Sequence, residues 1–307
     1  MSNAVVRVGF MGFGEAASRF AKDLSQAGLA GIVAYSRSAA KAGADDPIRA
    51  RATHAGVELV ATPKELCKRS NLVMTLTPGA AALPVLRVLR RHLRPEHLYV
   101  DATTASVKDM ERAAVLLEGR ARFVDAAIMD AVPLNGIKVL TVASGPHAAE
   151  FLNALAPYGM NIRVIGDKPG AASAFKLMRS VAMKGLAAVL IEALEAAHRY
   201  GIADAVAADI ARYMNERPFE QVEKRFVCGT AVHAERRVHE MGEAIALLKS
   251  LGSSTRMTRA TRDNLKEIAG MGLRDKFGAR EPEAMVPVLE ALTEARSSRS
   301  GRSPHSA

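Results

Sequence analysis

The sequence predicts an α/β fold, a doubly wound parallel sheet filling the N-terminal half, followed by an all-α C-terminal domain. Three observations predict it. Short apolar runs alternate with helical stretches as far as Ile165, the pattern of parallel βαβ units. Beyond Gly166-Asp167-Lys168-Pro169-Gly170 no strand pattern recurs, and long Ala/Leu/Met-rich helical stretches take over. Aromatic residues are only 5% and Trp is absent, so Ala, Leu and Val must do most of the packing, which suits helix-rich layers. A chain of 307 residues is also too long for one ordinary core. The expected division is an α/β domain over 1–168, a helical domain over 169–296 and a basic tail over 297–307.

The elements follow in order. Val5–Phe10 is an apolar run ending in glycines, and Ser18–Ala27 is a helix closed by Gly28. Gly31–Ser36 and Glu58–Val60 are strands, and Pro63–Ser70 is a short helix. Leu72–Leu76 is a buried strand stopped by Pro78. Leu83–His92 is a helix with Arg87, Arg90 and Arg91 on its solvated side. Leu98–Asp101, Arg122–Ala126, Val139–Ala143 and Ile162–Ile165 complete the strands. In the C-terminal half the helices are Ala171–Tyr200, Ala203–Asn215, Ala231–Leu251, Met257–Ala269 and Glu283–Arg296. Gly201, Gly252 and Gly270 stand where helices end, and Pro282 stands where one begins.

Composition narrows the function. Hydrophobic residues at 49% and charged residues at 24% are ordinary for a globular protein. The most apolar stretch, Val181–Ala197, is interrupted by Lys184, Glu192 and Glu195, so no membrane span is expected. Cys67 and Cys228 are far apart and outside any CxxC pattern, which argues against metal and disulfide chemistry and suits a reducing, cytoplasmic compartment. The N-terminus lacks a charged segment followed by a long apolar one, so no signal peptide is expected. The formal charge of +10 lies partly in the tail from Arg296 to Ala307, which has no apolar periodicity and reads as disordered. No nucleic-acid motif accompanies that charge, and an anionic cofactor and small-molecule substrate account for it better.

The glycine loop supplies the first chemistry. The first strand runs into Gly9-Phe10-Met11-Gly12-Phe13-Gly14-Glu15-Ala16-Ala17. Gly12-x-Gly14-x-x-Ala17 is a dinucleotide fingerprint: the first Gly permits a tight turn, the second lets backbone approach a pyrophosphate, and the small third residue allows close helix–strand packing. The helix opening there aims free N–H groups and a positive dipole end at phosphate. This places a Rossmann domain at the N-terminus, with Gly9, Met11, Gly12, Phe13, Gly14 and Glu15 as cofactor-contact candidates. After the second strand no acid lies between Gly31 and Ala44 to hold a ribose diol. Arg37 stands near that place, flanked by Ser36 and Ser38, a set suited to a 2′-phosphate. NADP is therefore expected over NAD.

Four segments, in order, carry a resemblance to a known family: Gly9-x-x-Gly12-x-Gly14, Thr75-Leu76-Thr77-Pro78, Asp101-Ala102-Thr103-Thr104, and Asp125-Ala126-Ala127-Ile128-Met129-Asp130-Ala131. A fifth, Gly170-x-x-x-x-x-Lys176, follows. With them the chain resembles the β-hydroxyacid dehydrogenases, related to the NAD-binding domain of 6-phosphogluconate dehydrogenase. The helical half resembles uncharacterised phosphogluconate-dehydrogenase-like proteins through His233-Ala-Glu-Arg236-Arg237-Val-His-Glu240-Met241, Leu251-Gly252 and Met257-Thr258-x-Ala260-Thr261. The resemblance implies hydride transfer between a nicotinamide and a polar hydroxy or oxo acid. It implies Thr77, Pro78 and Thr103 beside the cofactor, Thr104, Met129, Asp130 and Ala131 beside the substrate, and Lys176 as the catalytic lysine. This sequence departs from the pattern in having Met129-Asp130-Ala131 where Ser-Gly-Gly is usual and Ser180 where Asn follows the lysine by four. A simple 3-hydroxy acid is therefore not implied.

A lysine at 176 suits the reaction. Hydride addition to a carbonyl leaves charge on oxygen, and a positioned acid–base group accelerates such a step by about 10²–10⁴. Lysine titrates near 10.4 in water and needs burial or a neighbouring cation to exchange protons near neutrality. Ser180, at i+4, shares its helix face and is a candidate for binding the reacting group. Lys184, about 80° further round, is placed to flank the cleft or hold an anionic group. His233 and His239, six apart, do not share a face, so no metal site is expected. Two other readings stay open. One is an imine reductase-like enzyme, a family that generally lacks a lysine at the proton-transfer position. The other is a non-catalytic NADP(H)-binding sensor, suggested by the altered substrate positions. The apolar residues Val181, Leu186, Val189 and Leu190 point to a homodimer formed through the C-terminal helices.

Overall fold

In the computed structural model, which describes residues 5–41 and 46–300, the chain divides into two compact units, Met1–Val181 and Ala182–Ala307. The first unit holds eight strands: β1 (Val8–Met11), β2 (Val33–Tyr35), β3 (Glu58–Leu59), β4 (Leu72–Thr75), β5 (Leu98–Asp101), β6 (Arg122–Ile128), β7 (Thr141–Ser144) and β8 (Ile162–Val164). Its helices are α1 (Glu15–Gln26), α2 (Arg37–Lys41), α3 (Pro47–Ala55), α4 (Pro63–Arg69), α5 (Ala82–Leu89), α6 (Val107–Leu117), α7 (Val132–Asn135) and α8 (Ala148–Leu155). Then α9 (Ala171–Tyr200) begins in the first unit and ends in the second, which continues with α10 (Ala203–Asn215), α11 (Phe219–Ser250), α12 (Arg256–Ala269), α13 (Leu273–Lys276) and α14 (Val286–Ser300).

The strand order is β3-β2-β1-β4-β5-β6-β7-β8. The order reverses between β1 and β4, and a doubly wound sheet opens its ligand crevice at the carboxyl ends of the strands beside such a reversal. Strands β1, β4, β5 and β7 are buried along their whole length, because helices cover both faces. Phe10, Phe20, Leu24, Val124 and Phe151 pack on one face; Leu66, Val73, Leu86, Tyr99, Met110 and Leu117 pack on the other.

One pairing departs from the parallel expectation: β7 runs antiparallel to β6. The connection between them carries only α7 and a 3-10 turn over Gly136–Lys138, too little helix for a crossover, so the chain turns back on itself. The unit boundary also falls later than the texture change at 168. Ala172 and Phe175 pack against Ala127, Met129, Val142 and Leu140, so the opening turns of α9 belong with the sheet.

In the second unit α11 packs extensively on α12, around Cys228, Ala231, Ala234, Leu265 and Ile268. Helix α11 starts at Phe219, a full twelve residues before the Ala231 expected from sequence, because Pro218 ends the preceding turn and Val222 is buried. Helix α14 runs to Ser300, so residues 297–300 of the expected tail are helical, and the rest of that tail lies outside the described residues. Glu192 of α9 ties the unit together. It accepts hydrogen bonds from Ser254 Oγ (2.8 Å), Met257 N (3.0 Å), Thr258 N (2.8 Å) and Thr258 Oγ1 (2.7 Å). Thr255, the residue before α12, makes no capping bond, so a carboxylate from another helix satisfies these orphan donors.

Candidate functional site

The glycine loop joins β1 to α1. Gly12 has φ +89°, and its N–H donates to Tyr35 O at 2.9 Å. A Cβ on Gly12 would stand 2.6 Å from Leu76 O and 2.7 Å from Thr77 Cγ2, so both backbone conformation and space require glycine. Gly14 caps α1 in extended conformation with open space where its side chain would be, leaving the helix N-terminus bare. Glu15 is exposed in the first helical turn. Gly9 and Phe13 have other roles. Gly9 lies within β1, where a Cβ would meet Ser70 Oγ at 2.7 Å, and Phe13 is buried beside Phe10 with ring centroids 6.4 Å apart. Neither aims a side chain at the crevice; the loop backbone does the presenting. Ala17 is buried on the inner face of α1, as the fingerprint requires.

Beside the loop opens a cavity of about 520 Å³ lined by Met11, Gly12, Tyr35, Ser36, Arg37, Ser38, Thr77 and Pro78, with Pro84, Val85 and Val88 as an apolar wall. The sequence candidates on β1, β2 and β4 thus converge on one cleft. Ser36 Oγ and Ser38 Oγ are 3.0 Å apart, and Arg37 at the start of α2 is exposed, with no ion pair among the described residues. Thr77 Oγ1 is buried and has no hydrogen-bond partner among the described residues. An orphan hydroxyl, a bare helix N-terminus and a glycine with no room for a Cβ all fit a dinucleotide along this edge.

The neighbouring strand ends carry a second group of side chains. Tyr99 OH accepts from Thr75 Oγ1 (3.0 Å) and donates to Asp101 Oδ2 (3.2 Å). Asp101 Oδ1 accepts from Thr103 N (3.0 Å) and Thr103 Oγ1 (2.6 Å). The hydroxyl hydrogen of Thr103 is thus committed to Asp101, and its oxygen remains an acceptor. Thr104 has φ +56°, unusual for a β-branched residue, and accepts from Lys176 Nζ at 3.0 Å. The loop after β4 abuts it, since a Cβ on Gly79 would lie 3.2 Å from Thr104 O.

Asp125, in the middle of β6, fixes the helix that carries the lysine. Its carboxylate accepts from Ser173 N (2.9 Å), Ser173 Oγ (2.8 Å) and Ser144 Oγ (3.3 Å), and Ser144 Oγ accepts from Ala172 N at 2.9 Å. Burial pushes the carboxyls of Asp101 and Asp125 above the usual range, and their hydrogen bonds only partly reverse this. Sequence reasoning assigned neither aspartate a role. Their signal was an acid within a buried apolar run, at its end for Asp101 and in its middle for Asp125, where solvation alone cannot hold a charge.

The substrate-loop candidates adjoin this group. Met129 is buried, and its carbonyl accepts from Arg179 Nη1 at 2.6 Å. Asp130 is exposed and turns Oδ1 onto Ala131 N at 2.8 Å, and Ala131 precedes α7. Met129 and Asp130 line a cavity of about 370 Å³ with Lys138, Arg163, Phe175 and Arg179, so three cations face one carboxylate there. Arg163 lies over the Phe175 ring, 5.3 Å from its centroid. These cations were not singled out in the sequence, although Arg179 is only three residues beyond Lys176. Ser180 is half-buried like Lys176, while Lys184 is exposed and belongs to the second unit.

Among the described residues no cluster of His, Cys, Asp and Glu could hold a metal ion, and no helix is long and apolar enough to cross a membrane. Arg236 of α11 is paired with Glu240 on the same exposed face.

Comparison with known proteins supplies the family. Residues 7–161 match the NAD binding domain of 6-phosphogluconate dehydrogenase, and residues 197–268 match a domain of unknown function. A conserved hypothetical protein of Sinorhizobium meliloti 1021 is 31% identical, with 96% of this chain and 97% of that one covered at a TM-score of 0.61. A conserved protein of unknown function, described as structurally similar to 3-hydroxyacid dehydrogenases, is 33% identical over 86% of this chain and 98% of its own, with a TM-score of 0.59. An imine reductase of Streptomyces aurantiacus shares the fold at 19% identity, a TM-score of 0.71, and coverage of 93% of this chain and 99% of its own. The chain belongs to the family defined by the NAD-binding domain of 6-phosphogluconate dehydrogenase, and so to the NAD(P)-dependent oxidoreductases.

Proposed function

We propose that the protein exchanges a hydride between NADP(H) and a polar, anionic hydroxy or oxo acid, with Lys176 as the proton-transfer group. The observation that carries this reading is Lys176 Nζ donating to Thr104 Oγ1 at 3.0 Å, where the end of β5 meets the loop that closes the cofactor cleft. When bound, the nicotinamide cofactor supplies the two-electron hydride exchange at the substrate carbon. Lys176 gives its proton to the substrate oxygen in reduction and recovers it in oxidation. Thr104 orients the ammonium, and Asp125 holds the start of α9 so that the lysine stays in place. Arg37, Ser36 and Ser38 favour NADP by offering charge and hydroxyls to a 2′-phosphate. Thr103, Thr77 and Pro78 border the cofactor, and Met129, Asp130, Ala131 and Ser180 border the substrate. The cations Lys138, Arg163 and Arg179 favour a substrate with negative charge.

The exposed apolar residues Leu177, Val181, Leu186, Val189 and Ile191 along α9 favour a second copy of the chain as partner. Two free, buried thiols, Cys67 and Cys228, suit a cytoplasmic setting.

The test is a screen of oxo acids, hydroxy acids and imines that follows NADPH absorbance, repeated with Lys176→Met. Turnover is expected to fall about 10²–10⁴-fold while NADPH binding persists. Unchanged turnover removes Lys176 from the chemistry. Tight NADPH binding with no turnover of any substrate class favours a sensor instead.

A further inference from the structure

The amino-terminal ends of β1, β4 and β5, opposite the cofactor edge, enclose a cavity of about 370 Å³. Arg7, Lys64, Lys68, Arg91 and Arg94 line it, with Glu96 as its one carboxylate. None of the five cationic side chains makes a hydrogen bond or ion pair among the described residues. Their immediate neighbours outside the cavity behave differently. Arg69, next to Lys68, binds Glu58 Oε2 at 2.8 Å, and Arg90, next to Arg91, donates to Leu116 O at 2.7 Å. Arginines are therefore paired just outside this cavity and left unpaired facing into it.

The floor beneath these cations is rigid. His97 is buried and used at both ring nitrogens: Nδ1 accepts from Arg94 N (3.0 Å), and Nε2 lies 2.8 Å from Cys67 O. Asn71 Oδ1 accepts from Arg7 N (2.8 Å), and Asn71 Nδ2 donates to Val5 O (2.9 Å). Ser70 Oγ donates to Leu66 O at 2.7 Å. The polar floor is thus saturated internally, and the capacity that remains is mostly cationic, five basic side chains against the Glu96 carboxylate and the His92 ring. The Cys67 thiol, pushed up to about 11 by burial, adds no charge. Gathering like charges in one concavity is unfavourable without a counter-anion, and a concave wall focuses their field on whatever enters. No Phe, Tyr or Trp lines the cavity to stack a base; its rings are the imidazoles of His92 and of the buried His97, so charge is the main recognisable feature.

We propose that this cavity binds a small polyanion carrying two or more linked phosphate groups, at a site separate from the dinucleotide cleft. Lys64, Lys68 and Arg91 reach it from α4 and the turn after α5, and Arg7 closes it from the start of β1 and Arg94 from the turn before β5. The proposal does not depend on the reaction at Lys176.

The test is calorimetric titration of the full chain with inorganic tripolyphosphate, in the presence and absence of saturating NADP. Tripolyphosphate is expected to bind with a Kd below about 1 mM at low salt and to weaken as salt rises. Lys68→Gln combined with Arg91→Gln is expected to weaken binding at least about tenfold and leave NADP binding unchanged. Arg7→Gln with Arg94→Gln is a second pair on separate elements, so a folding defect in one does not decide the result. Equal affinity for ATP and tripolyphosphate means that the phosphate chain alone is read, and tighter ATP means that a nucleoside adds to it. No tripolyphosphate binding, or isotherms unmoved by both pairs, overturns the proposal. So does a short DNA duplex that binds more tightly through the same residues, which identifies the face as a nucleic-acid surface.

Discussion

Asp125 receives two hydrogen bonds from Ser173, one from its backbone N–H and one from its hydroxyl, at 2.9 and 2.8 Å. The middle of β6 thereby grips the first turn of the helix that presents Lys176 only three residues later. Removing the carboxylate with Asp125→Ala leaves Ser173 and Ser144 donors buried without partners. A loss of about 2–4 kcal/mol in urea unfolding is expected, with Asp125→Asn intermediate. Since burial raises this carboxyl and that of Asp101, ionising them works against the fold. Their stabilising effect is fully present below the ordinary carboxylate range and declines as pH rises through the raised values.

Glu192 has the opposite sign. Burial opposes its charge, yet bonds from Thr258, Met257 and Ser254 outweigh this and hold its carboxyl at about 2. Its contribution is therefore present above the ordinary value of 4.5 and is lost as pH falls towards 2. Glu192→Gln is expected to cost about 1–3 kcal/mol at neutral pH, with the difference from the natural chain shrinking across that window in a series of chemical melts. A constant difference would mean that Glu192 is not ionised in the fold.

Thr104 combines strain with a contact. A β-branched residue at φ +56° is disfavoured by about 1–2 kcal/mol, and Thr104→Gly removes that strain. The variant also lacks the hydroxyl that accepts from Lys176. Equal or higher stability with turnover reduced at least about tenfold is the expected pair of outcomes. Unchanged turnover would show that the lysine needs no such partner.

For the cofactor, Arg37→Asp is expected to move the preference from NADP towards NAD, read as the ratio of the two kcat/KM values. Retained NADP selectivity would assign the phosphate to another residue.

Gly12→Ala tests the loop itself. Positive φ and a 2.6 Å approach to Leu76 O predict a loss of about 2 kcal/mol or more, together with loss of dinucleotide binding.

The sequence by itself determined the local features: where strands alternate with helices, the glycines that let backbone meet phosphate, and a lysine near the start of a long helix. These depend on residue type and short-range spacing, which a linear reading holds. Only the tertiary structure decided that β7 runs antiparallel, since a strand's direction depends on how its connection packs. It also separated Gly12, hemmed in by Leu76 and Thr77, from Gly9, which makes room for Ser70. Asp125 and Glu192 became legible only in three dimensions, because the donors they satisfy lie on distant parts of the chain, 48 residues away for Asp125 and Ser173 and 66 for Glu192 and Thr258. The cations at the amino ends of the strands are scattered over Arg7, Lys64, Lys68, Arg91 and Arg94 in sequence, and parallel pairing of β1, β4 and β5 brings them to one cavity.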